Sequence, residues 1–398
     1  MLNKSEVISA IHHSGRQAVI VVTGGGSLAI SDLLTVSGAS SFLLEASVPY
    51  ASTALTRWLG RKPENFCACD TALAMATVAF QKGRQLGGEV EKMIGIGCTA
   101  SLASNRPKLG DHRAWIAIQT ANRTEVFEYQ LAKGLRDRLQ EERLVADVLL
   151  DQLASVCGVR WTGQQLGPDV FAVPYVALPE DQFHRETESA EPTLVMLWNG
   201  VRSWLWSMPP SEGDATTWDK FDAAEARPNS RALLPGAFNP LHDGHRELAL
   251  VADRHINGPV AFEMSIVNVD KPPLDYLTIA ARRRQFTDRP LVLTAAPTFV
   301  EKSRLFKNTT FVVGIDTAER IVQSKYYHGS EADMFTALNE IRSNGCRFLV
   351  AGRLEDGNFQ TLSETPMPSP VRDLFAEIPE HEFRRDISST ELRRAAAT

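Results

Sequence analysis

The segment PGAFNPLHDGH, residues 235–245, constrains the fold of this chain more than any other. It follows the apolar run Ala232–Leu234 and precedes an amphipathic run that contains Leu248 and Val251. This order predicts a strand, a tight turn and a helix. In an open parallel sheet, ligands bind at the end of the strands where such turns lie. The segment is neither a zinc signature nor a Walker loop, because it lacks a metal-ligand spacing and a Gly-Lys-Ser/Thr sequence.

The residue types of this turn suit phosphate chemistry. Gly236 and Gly244 let the backbone approach an anion closely, and a helix N-terminus presents free N–H groups with a partial positive charge. His242 and His245 can donate hydrogen bonds to oxygens that gain charge in a transition state. Neither has to act as a nucleophile, because phosphoryl-type transfer depends mostly on positioning and charge stabilisation. We predict that these two histidines are catalytic; the alternative is a turn histidine and a surface histidine.

Two motifs carry a resemblance to a known family. The pattern Gly-x-Phe-x-Pro-x-His-x-Gly-His at residues 236–245 resembles that of the nucleotidylyltransferase superfamily. The segment ISSTELR at residues 387–393 is similar to the Ile-Ser-Ser-Thr-x-x-Arg signature of nicotinate and nicotinamide mononucleotide adenylyltransferases. By itself, the second segment has the pattern of a well-capped helix. The resemblance implies a Rossmann-like doubly wound parallel sheet that brings both motifs to one nucleotide.

The resemblance also implies a set of site residues. Hydroxyls and amides of the second motif would face a triphosphate, which the arginine of that motif would neutralise. Asp316 ends a Val-Gly-Ile-Asp segment and would lie near the acceptor or the metal-bound nucleotide, with a helix N-cap as the alternative. Arg353, and one of Arg282 or Arg283, are candidate phosphate ligands. The predicted nucleotide-binding residues are Gly236, Phe238, Asn239, Gly244, Asp316, Arg353, Ser388, Ser389, Thr390 and Arg393; none is predicted to bind a metal directly.

The length of 398 residues is enough for two or three domains. Residues 230–398 alternate β-rich and helical segments, as expected for a doubly wound α/β domain. Residues 1–157 form a second α/β pattern. Residues 158–229 are predicted to connect the two through a β-hairpin, indicated by Asn199-Gly200 between apolar runs, and a polar linker over residues 211–229.

Residues 5–155 resemble the C-terminal domain of competence-damage-inducible proteins, the nicotinamide mononucleotide amidase family, in the order and spacing of their segments. The residues decisive for that chemistry depart from the family. The turn reads TGGGS at residues 23–27 in place of Ser-x-Thr-Gly-Gly, and Leu55 stands where the family has a lysine. Thr23 would need a base to act as a nucleophile. We therefore expect a degenerate domain that binds a nucleotide, regulates or oligomerises. Its glycines would cradle a phosphate, and His112 and Arg113 would line the pocket.

Composition narrows the class of protein. Hydrophobic residues make up 43% of the chain and charged residues 23%, as in an ordinary soluble protein. The net charge of −6 does not suggest a nucleic-acid surface. The sequence shows no apolar run of membrane-spanning length and no signal-peptide pattern, and its five scattered cysteines fit a reducing compartment. We expect a cytoplasmic protein with no nucleic-acid or membrane partner, and a homo-oligomer is a further expectation.

Together these inferences predict an enzyme that transfers AMP from ATP to a phosphorylated acceptor, such as nicotinate or nicotinamide mononucleotide, and releases pyrophosphate. Mg²⁺ would be carried mainly by the nucleotide. Three alternatives stay open. The enzyme could be a cytidylyltransferase that uses CTP and another acceptor, a bifunctional mononucleotide deamidase and adenylyltransferase, or a nucleotide sensor without catalysis.

Overall fold

The chain forms two units in a computed structural model that describes residues 3–106, 108–159, 178–207, 231–268, 272–355 and 358–385. Unit 1 comprises Met1–Ala190 with Asp270–Thr278, and unit 2 comprises Glu191–Val269 with Ile279–Thr398. The predicted linker and the ISSTELR motif lie outside the described residues. Among the residues that are described, no helix is long and apolar enough to cross a membrane.

Unit 1 is built on a sheet of six strands in the order β2-β1-β3-β4-β5-β6. The strands β2, β1 and β3 are parallel, and β3 to β6 are joined by antiparallel pairs. Its elements are α1 (Lys4–His12), β1 (Gln17–Thr23), α2 (Ser27–Thr35), β2 (Leu43–Ser47), α3 (Ser52–Leu59), α4 (Cys69–Gln85), β3 (Met93–Ser101), β4 (His112–Gln119), β5 (Arg123–Leu131), α5 (Arg138–Val156) and β6 (Gln182–Ser189).

Two layers of helices cover this sheet, because alternate residues of the central strands point to opposite faces. Ile94, Ile96 and Cys98 of β3 belong to the core that contains residues of α1, α2 and α5. On the other face, Gly95 and Gly97 meet α4. A Cβ atom at Gly95 would lie 2.2 Å from the Ala76 carbonyl oxygen, so α4 can pack this closely only against glycine. The repeated glycines of β3 therefore serve helix packing.

Unit 2 is built on a sheet of seven strands in the order β15-β12-β11-β8-β9-β10-β7. Its elements are α6 (Pro192–Trp198), β7 (Trp204–Ser207), β8 (Ala232–Pro235), α7 (Asp243–Ile256), β9 (Val260–Ser265), α8 (Tyr276–Arg283), β10 (Leu291–Thr294), α9 (Phe299–Leu305), β11 (Thr310–Gly314), α10 (Ile315–Ile321), α11 (Glu331–Ser343), β12 (Arg347–Ala351), β13 (Arg353–Glu355), β14 (Asn358–Gln360) and β15 (Phe375–Ile378). The first three residues of α8 are assigned to unit 1.

The six parallel strands of unit 2 have the Rossmann order. Counted from β8 along the chain, they lie as 3-2-1-4-5-6, and only β7 is antiparallel to its neighbour. The order reverses between β8 and β11, which is the switch point where such sheets bind nucleotides. The predicted α/β fold class is confirmed, with two α/β units and a doubly wound parallel sheet in the C-terminal one.

The predicted hairpin across Asn199-Gly200 is wrong. Residues Pro192–Trp198 form the helix α6, with proline at its first position. Leu194, Leu197 and Trp198 are buried at the spacing of a helix face, and Gly200 ends the turn with φ of 77°. The apolar residues before Asn199 therefore follow a helical period, and only the later run forms a strand, β7.

The close packing of β3 on α4 predicts that Gly95→Ala destabilises unit 1. Its added Cβ would meet backbone atoms of Ala76 and Phe80, which cannot move without shifting α4. We expect a loss of about 1–3 kcal/mol in the free energy of unfolding, measured by urea denaturation. Gly110→Ala is the matched control, because the space around Gly110 is open. Equal stability of the two variants would contradict this account of the packing.

Candidate active site

The predicted histidine motif lies at the switch point of unit 2. Strand β8 ends at Pro235 and α7 begins at Asp243, so the motif forms the turn between them. Strand β11 pairs with β8 in the register Ala232 to Thr310. Both strands therefore end at the same edge of the sheet, where Gly236 follows β8 and Gly314 is the last residue of β11. The sequence-based placement of the motif at a strand-to-helix turn agrees with the structure.

A buried phenylalanine shapes the turn. Phe238 is 1% exposed, and its backbone has a φ of 47°, a value that residues other than glycine rarely adopt. Its ring makes edge-on contacts with Phe262, Phe286 and His245 at centroid distances of 5.1–5.3 Å. A Cβ atom at Gly236 would lie 2.6 Å from this ring. Gly236 and Phe238 are thus matched residues of one packed turn.

The two histidines are stacked and joined by a hydrogen bond. Their ring centroids lie 3.8 Å apart. The backbone N–H of His242 donates to Nδ1 of His245 over 3.3 Å. Because Nδ1 accepts this bond, it carries no proton, and the proton of neutral His245 resides on Nε2. The local backbone therefore selects the tautomer that can donate from Nε2.

Both imidazoles favour the neutral form. Burial lowers the pKa of His242, against the opposing effect of Asp243. Burial also lowers the pKa of His245 to about 4, and the neighbouring His242 contributes in the same direction. Near pH 7 the pair is consequently uncharged, and each ring can donate one N–H hydrogen bond.

Nδ1 of His242 is buried without a hydrogen-bond partner. The ring lies against Gly244, where a Cβ atom would be 3.1 Å from Nδ1 and Cε1 of His242. A side chain at Gly244 would therefore push on the ring. An unpaired buried nitrogen costs about 1–3 kcal/mol.

Asp316 and Arg353 come together, as expected for residues that follow adjacent strands. Asp316 lies in the first turn of α10, and Arg353 begins β13 just after β12. Nη1 of Arg353 lies 3.6 Å from Oδ2 of Asp316, with both side chains about half exposed. An exposed pair of this kind contributes little stability, so both groups are accessible to a ligand.

The arginines of α8 have different environments. Nη1 of Arg282 donates to the carbonyl oxygen of Ala237, inside the histidine motif, over 3.0 Å. Arg283 is largely buried and pairs with Glu191 over 3.2 Å. Of the two sequence candidates, Arg282 therefore lies at the turn, and Arg283 has a structural partner elsewhere.

The segment that leads into the second motif packs against α7. Arg385 pairs with Glu247, and Nε2 of His255 lies 3.0 Å from Oε2 of Glu382. A Cβ atom at Gly244 would lie 3.8 Å from Cβ of Arg385. The motif residues themselves, namely Ser388, Ser389, Thr390 and Arg393, lie outside the described residues.

Sequence analysis missed a glutamine that contacts the turn. The side chain of Gln285 accepts from the Leu241 N–H over 2.7 Å and donates to the Phe238 carbonyl over 3.2 Å. No motif marks this residue, because it lies about 45 positions further along the chain. Only the fold of the following βα unit brings it to the histidine motif.

In unit 1, a carboxylate occupies the glycine-rich turn. Glu142 accepts hydrogen bonds from Gly26 N (3.1 Å), Leu28 N (3.2 Å) and the Ser27 hydroxyl (2.8 Å). These are the free groups at the start of α2 that an anion would use. The protein's own carboxylate thus takes the place that sequence analysis assigned to a phosphate.

The residues of unit 1 that were considered for amidase chemistry or for a pocket make internal contacts. The Thr23 hydroxyl donates to the Pro49 carbonyl over 3.1 Å, and Leu55 is 1% exposed. His112 is buried, and its Nδ1 lies 2.7 Å from Oε1 of the fully buried Glu141. The recorded hydrogen bond of the Thr23 hydroxyl is therefore to a carbonyl oxygen, which cannot serve as a general base.

Among the described residues, no group of three or more His, Cys, Asp or Glu side chains is arranged to hold a metal ion. This observation covers residues 3–385 with the gaps given above. Asp316, in the first turn of α10, carries a carboxylate, which is a hard oxygen ligand of the kind that Mg²⁺ prefers.

A family model described as cytidylyltransferase-like matches residues 233–395. The matched range starts in β8, contains the histidine motif and extends through the ISSTELR segment. Over this range the C-terminal domain is similar to cytidylyltransferases. The match indicates nucleotidyltransferase activity, and a nucleotidyltransferase uses a nucleoside triphosphate as its substrate.

The N-terminal part of the chain is similar to solved structures of proteins from several bacteria. The competence/damage inducible protein CihA from Agrobacterium tumefaciens has 17% identity and a TM-score of 0.32, over 38% of this chain and 94% of that one. A competence-damaged protein (CinA) superfamily protein from Klebsiella pneumoniae has 12% identity and a TM-score of 0.32, over 39% and 99%. Another, from Escherichia coli, has 13% identity and a TM-score of 0.32, over 39% and 90%. No curated protein matches the chain.

The burial of His245 predicts how unit 2 responds to acid. Its pKa falls from 6.5 in the unfolded chain to about 4 in the fold. Between these values the unfolded chain binds a proton that the folded chain does not, so stability is lost as the pH falls from 6.5 towards 4. This histidine contributes up to about 3 kcal/mol to that loss.

Nitrogen-15 NMR is expected to show His245 neutral at pH 7 with its proton on Nε2. Denaturation at pH 7 and pH 4.5 is expected to show a smaller loss of stability in His245→Gln than in wild type. Titration of His245 near pH 6.5 would contradict the buried, accepting geometry.

Proposed function

We propose that the cytidylyltransferase-like domain transfers a nucleotidyl group from a nucleoside triphosphate to a phosphorylated small molecule and releases pyrophosphate. The observation that carries this proposal is the neutral histidine pair at the switch point of the sheet. His245 presents an Nε2–H donor because its Nδ1 accepts the His242 backbone N–H. The start of α7 adds backbone N–H groups and a partial positive charge.

The first candidate donor is ATP, and the first candidate acceptor is nicotinate or nicotinamide mononucleotide. The support for ATP is the Ile-Ser-Ser-Thr form of the second motif. The support for an acceptor with a phosphate is a pair of arginines: Arg282 contacts Ala237 in the motif turn, and Arg353 lies half exposed beside Asp316.

The reaction proceeds by in-line displacement at the α-phosphorus. An oxygen of the acceptor phosphate forms the new P–O bond, and the bond to the bridging oxygen of the β-phosphate breaks, so the electron pair leaves with pyrophosphate. His242 and His245 donate N–H hydrogen bonds to oxygens whose charge increases during the transfer. The chain supplies no nucleophile, and its contribution is positioning and charge stabilisation.

Mg²⁺ carried by the triphosphate would neutralise part of its charge. The carboxylate of Asp316, which follows β11, would hold the ion or its water shell. Its partner Arg353 would then bind a phosphate oxygen. This exchange suits a pair in which both side chains are about half exposed.

A second candidate function is cytidylyl transfer. It is supported by the cytidylyltransferase-like description of the family model that matches residues 233–395. The histidine pair acts on the phosphates and not on the base, so the same chemistry serves ATP and CTP. The acceptor in this case would be a phosphorylated alcohol.

The proposal is tested by measuring pyrophosphate release from ATP, CTP, GTP and UTP, each with mononucleotide and phosphorylated-alcohol acceptors and Mg²⁺. We expect turnover with ATP and a pyridine mononucleotide. The His245→Ala variant should lower kcat by about 10²–10³-fold, because it removes a donor that acts in the transition state.

His13→Ala is the matched control, because His13 is an exposed histidine of unit 1; it should retain full activity. Turnover with CTP alone would select the second candidate. Nucleotide binding without turnover under any combination, unaffected by His245→Ala, would overturn the catalytic proposal and leave a nucleotide sensor.

A further inference from the structure

One side chain outside the motif joins both ends of its central segment. The amide oxygen of Gln285 accepts from the Leu241 N–H over 2.7 Å, and its amide nitrogen donates to the Phe238 carbonyl over 3.2 Å. Between these two backbone groups lie Asn239 and Pro240. Gln285 thus uses both its donor and its acceptor on one turn, which a side-chain amide can do and a carboxylate cannot.

Gln285 is itself held in place. Its backbone carbonyl accepts from Nη2 of Arg246 over 2.9 Å, and Arg246 also pairs with Asp288. Arg246 follows His245 directly in α7. The backbone of Gln285 is therefore fixed to the helix that carries the histidines, and its side chain is fixed to the turn that precedes them.

Two features of the turn make the hydrogen bonds from Gln285 important for its conformation. Pro240 has no N–H to donate, and Phe238 holds a backbone conformation of higher energy, with φ of 47°. The Leu241 N–H is the last donor before His242, whose own N–H goes to His245. A displacement of Leu241 would therefore also displace His242, the next residue in the chain, and its imidazole ring.

We propose that Gln285 is a positioning residue for nucleotidyl transfer: its amide clamps Phe238 to Leu241 and so sets the position of His242. Gln285 touches neither substrate nor reacting atoms and acts through the turn. This inference rests on the proposed function, and it adds to the site a residue that no motif contains. A displacement of about 1 Å at a catalytic group can cost about 10²-fold in rate.

The first test replaces Gln285 by methionine, which keeps the length of the side chain and removes both hydrogen bonds. We expect kcat for pyrophosphate release to fall about 10–100-fold while KM for the triphosphate changes less than about threefold. Gln323→Met is the matched control in the same unit and should keep wild-type kcat. Unchanged kcat in Gln285→Met would overturn the proposal.

The second test uses Gln285→Glu. Its carboxylate still accepts from Leu241 but faces the Phe238 carbonyl without a proton to donate. Protonation at low pH restores that donor. The activity of Gln285→Glu relative to wild type should therefore rise as the pH falls from 8 towards 5. If the substitution only damaged the fold, the ratio of Gln285→Glu activity to wild-type activity would be the same at every pH. That result would contradict the positioning role.

A third measurement separates this proposal from the proposed function. Amide hydrogen exchange at Leu241 should be at least about tenfold faster in Gln285→Met than in wild type, with exchange in the middle of α7 unchanged. This readout needs no activity. If wild type shows no transfer, the proposed function fails while exchange still tests the clamp. If transfer occurs but exchange at Leu241 is unchanged, the clamp fails alone.

Discussion

The candidate site depends on the burial of one phenylalanine ring. Phe238 lies in the middle of the motif turn, and its ring packs against Phe262 of β9, against Phe286 and against His245. Full burial of a phenylalanine side chain is worth about 1.5–3 kcal/mol. This is enough to offset the cost of its positive φ, which is of order 1–3 kcal/mol. The same ring leaves no space for a side chain at Gly236. Hydrophobic packing thus holds the turn in a shape that places polar groups at the sheet edge.

From this shape follows the electrostatic character of the site. The histidines are stacked and partly removed from water, so a charge on either ring is disfavoured. The neutral rings keep N–H donors, and the start of α7 adds a partial positive charge, so both features favour an anion at this edge of the sheet. A carboxylate already fills the comparable helix start in unit 1, and this difference separates the two units chemically.

The sequence predicts this architecture well where the signal is local. The alternation of strands and helices after residue 230 identifies the doubly wound sheet, and the turn from Pro235 to His245 identifies its switch point. The hairpin at Asn199 fails because a short apolar run fits both periods, and burial of Leu194, Leu197 and Trp198 decides for a helix. The role of Gln285 could not be predicted from the sequence, since it arises from tertiary contacts alone. The tautomer of His245 likewise depends on one backbone hydrogen bond.

The most direct test of the account is a crystal structure with Mg²⁺ and an ATP analogue whose bridging oxygen between the α- and β-phosphorus is replaced by a methylene group. The account predicts an α-phosphate oxygen within about 3 Å of Nε2 of His245, with the β- and γ-phosphates at the start of α7. A nucleotide bound with its α-phosphate away from both histidines would contradict the central claim.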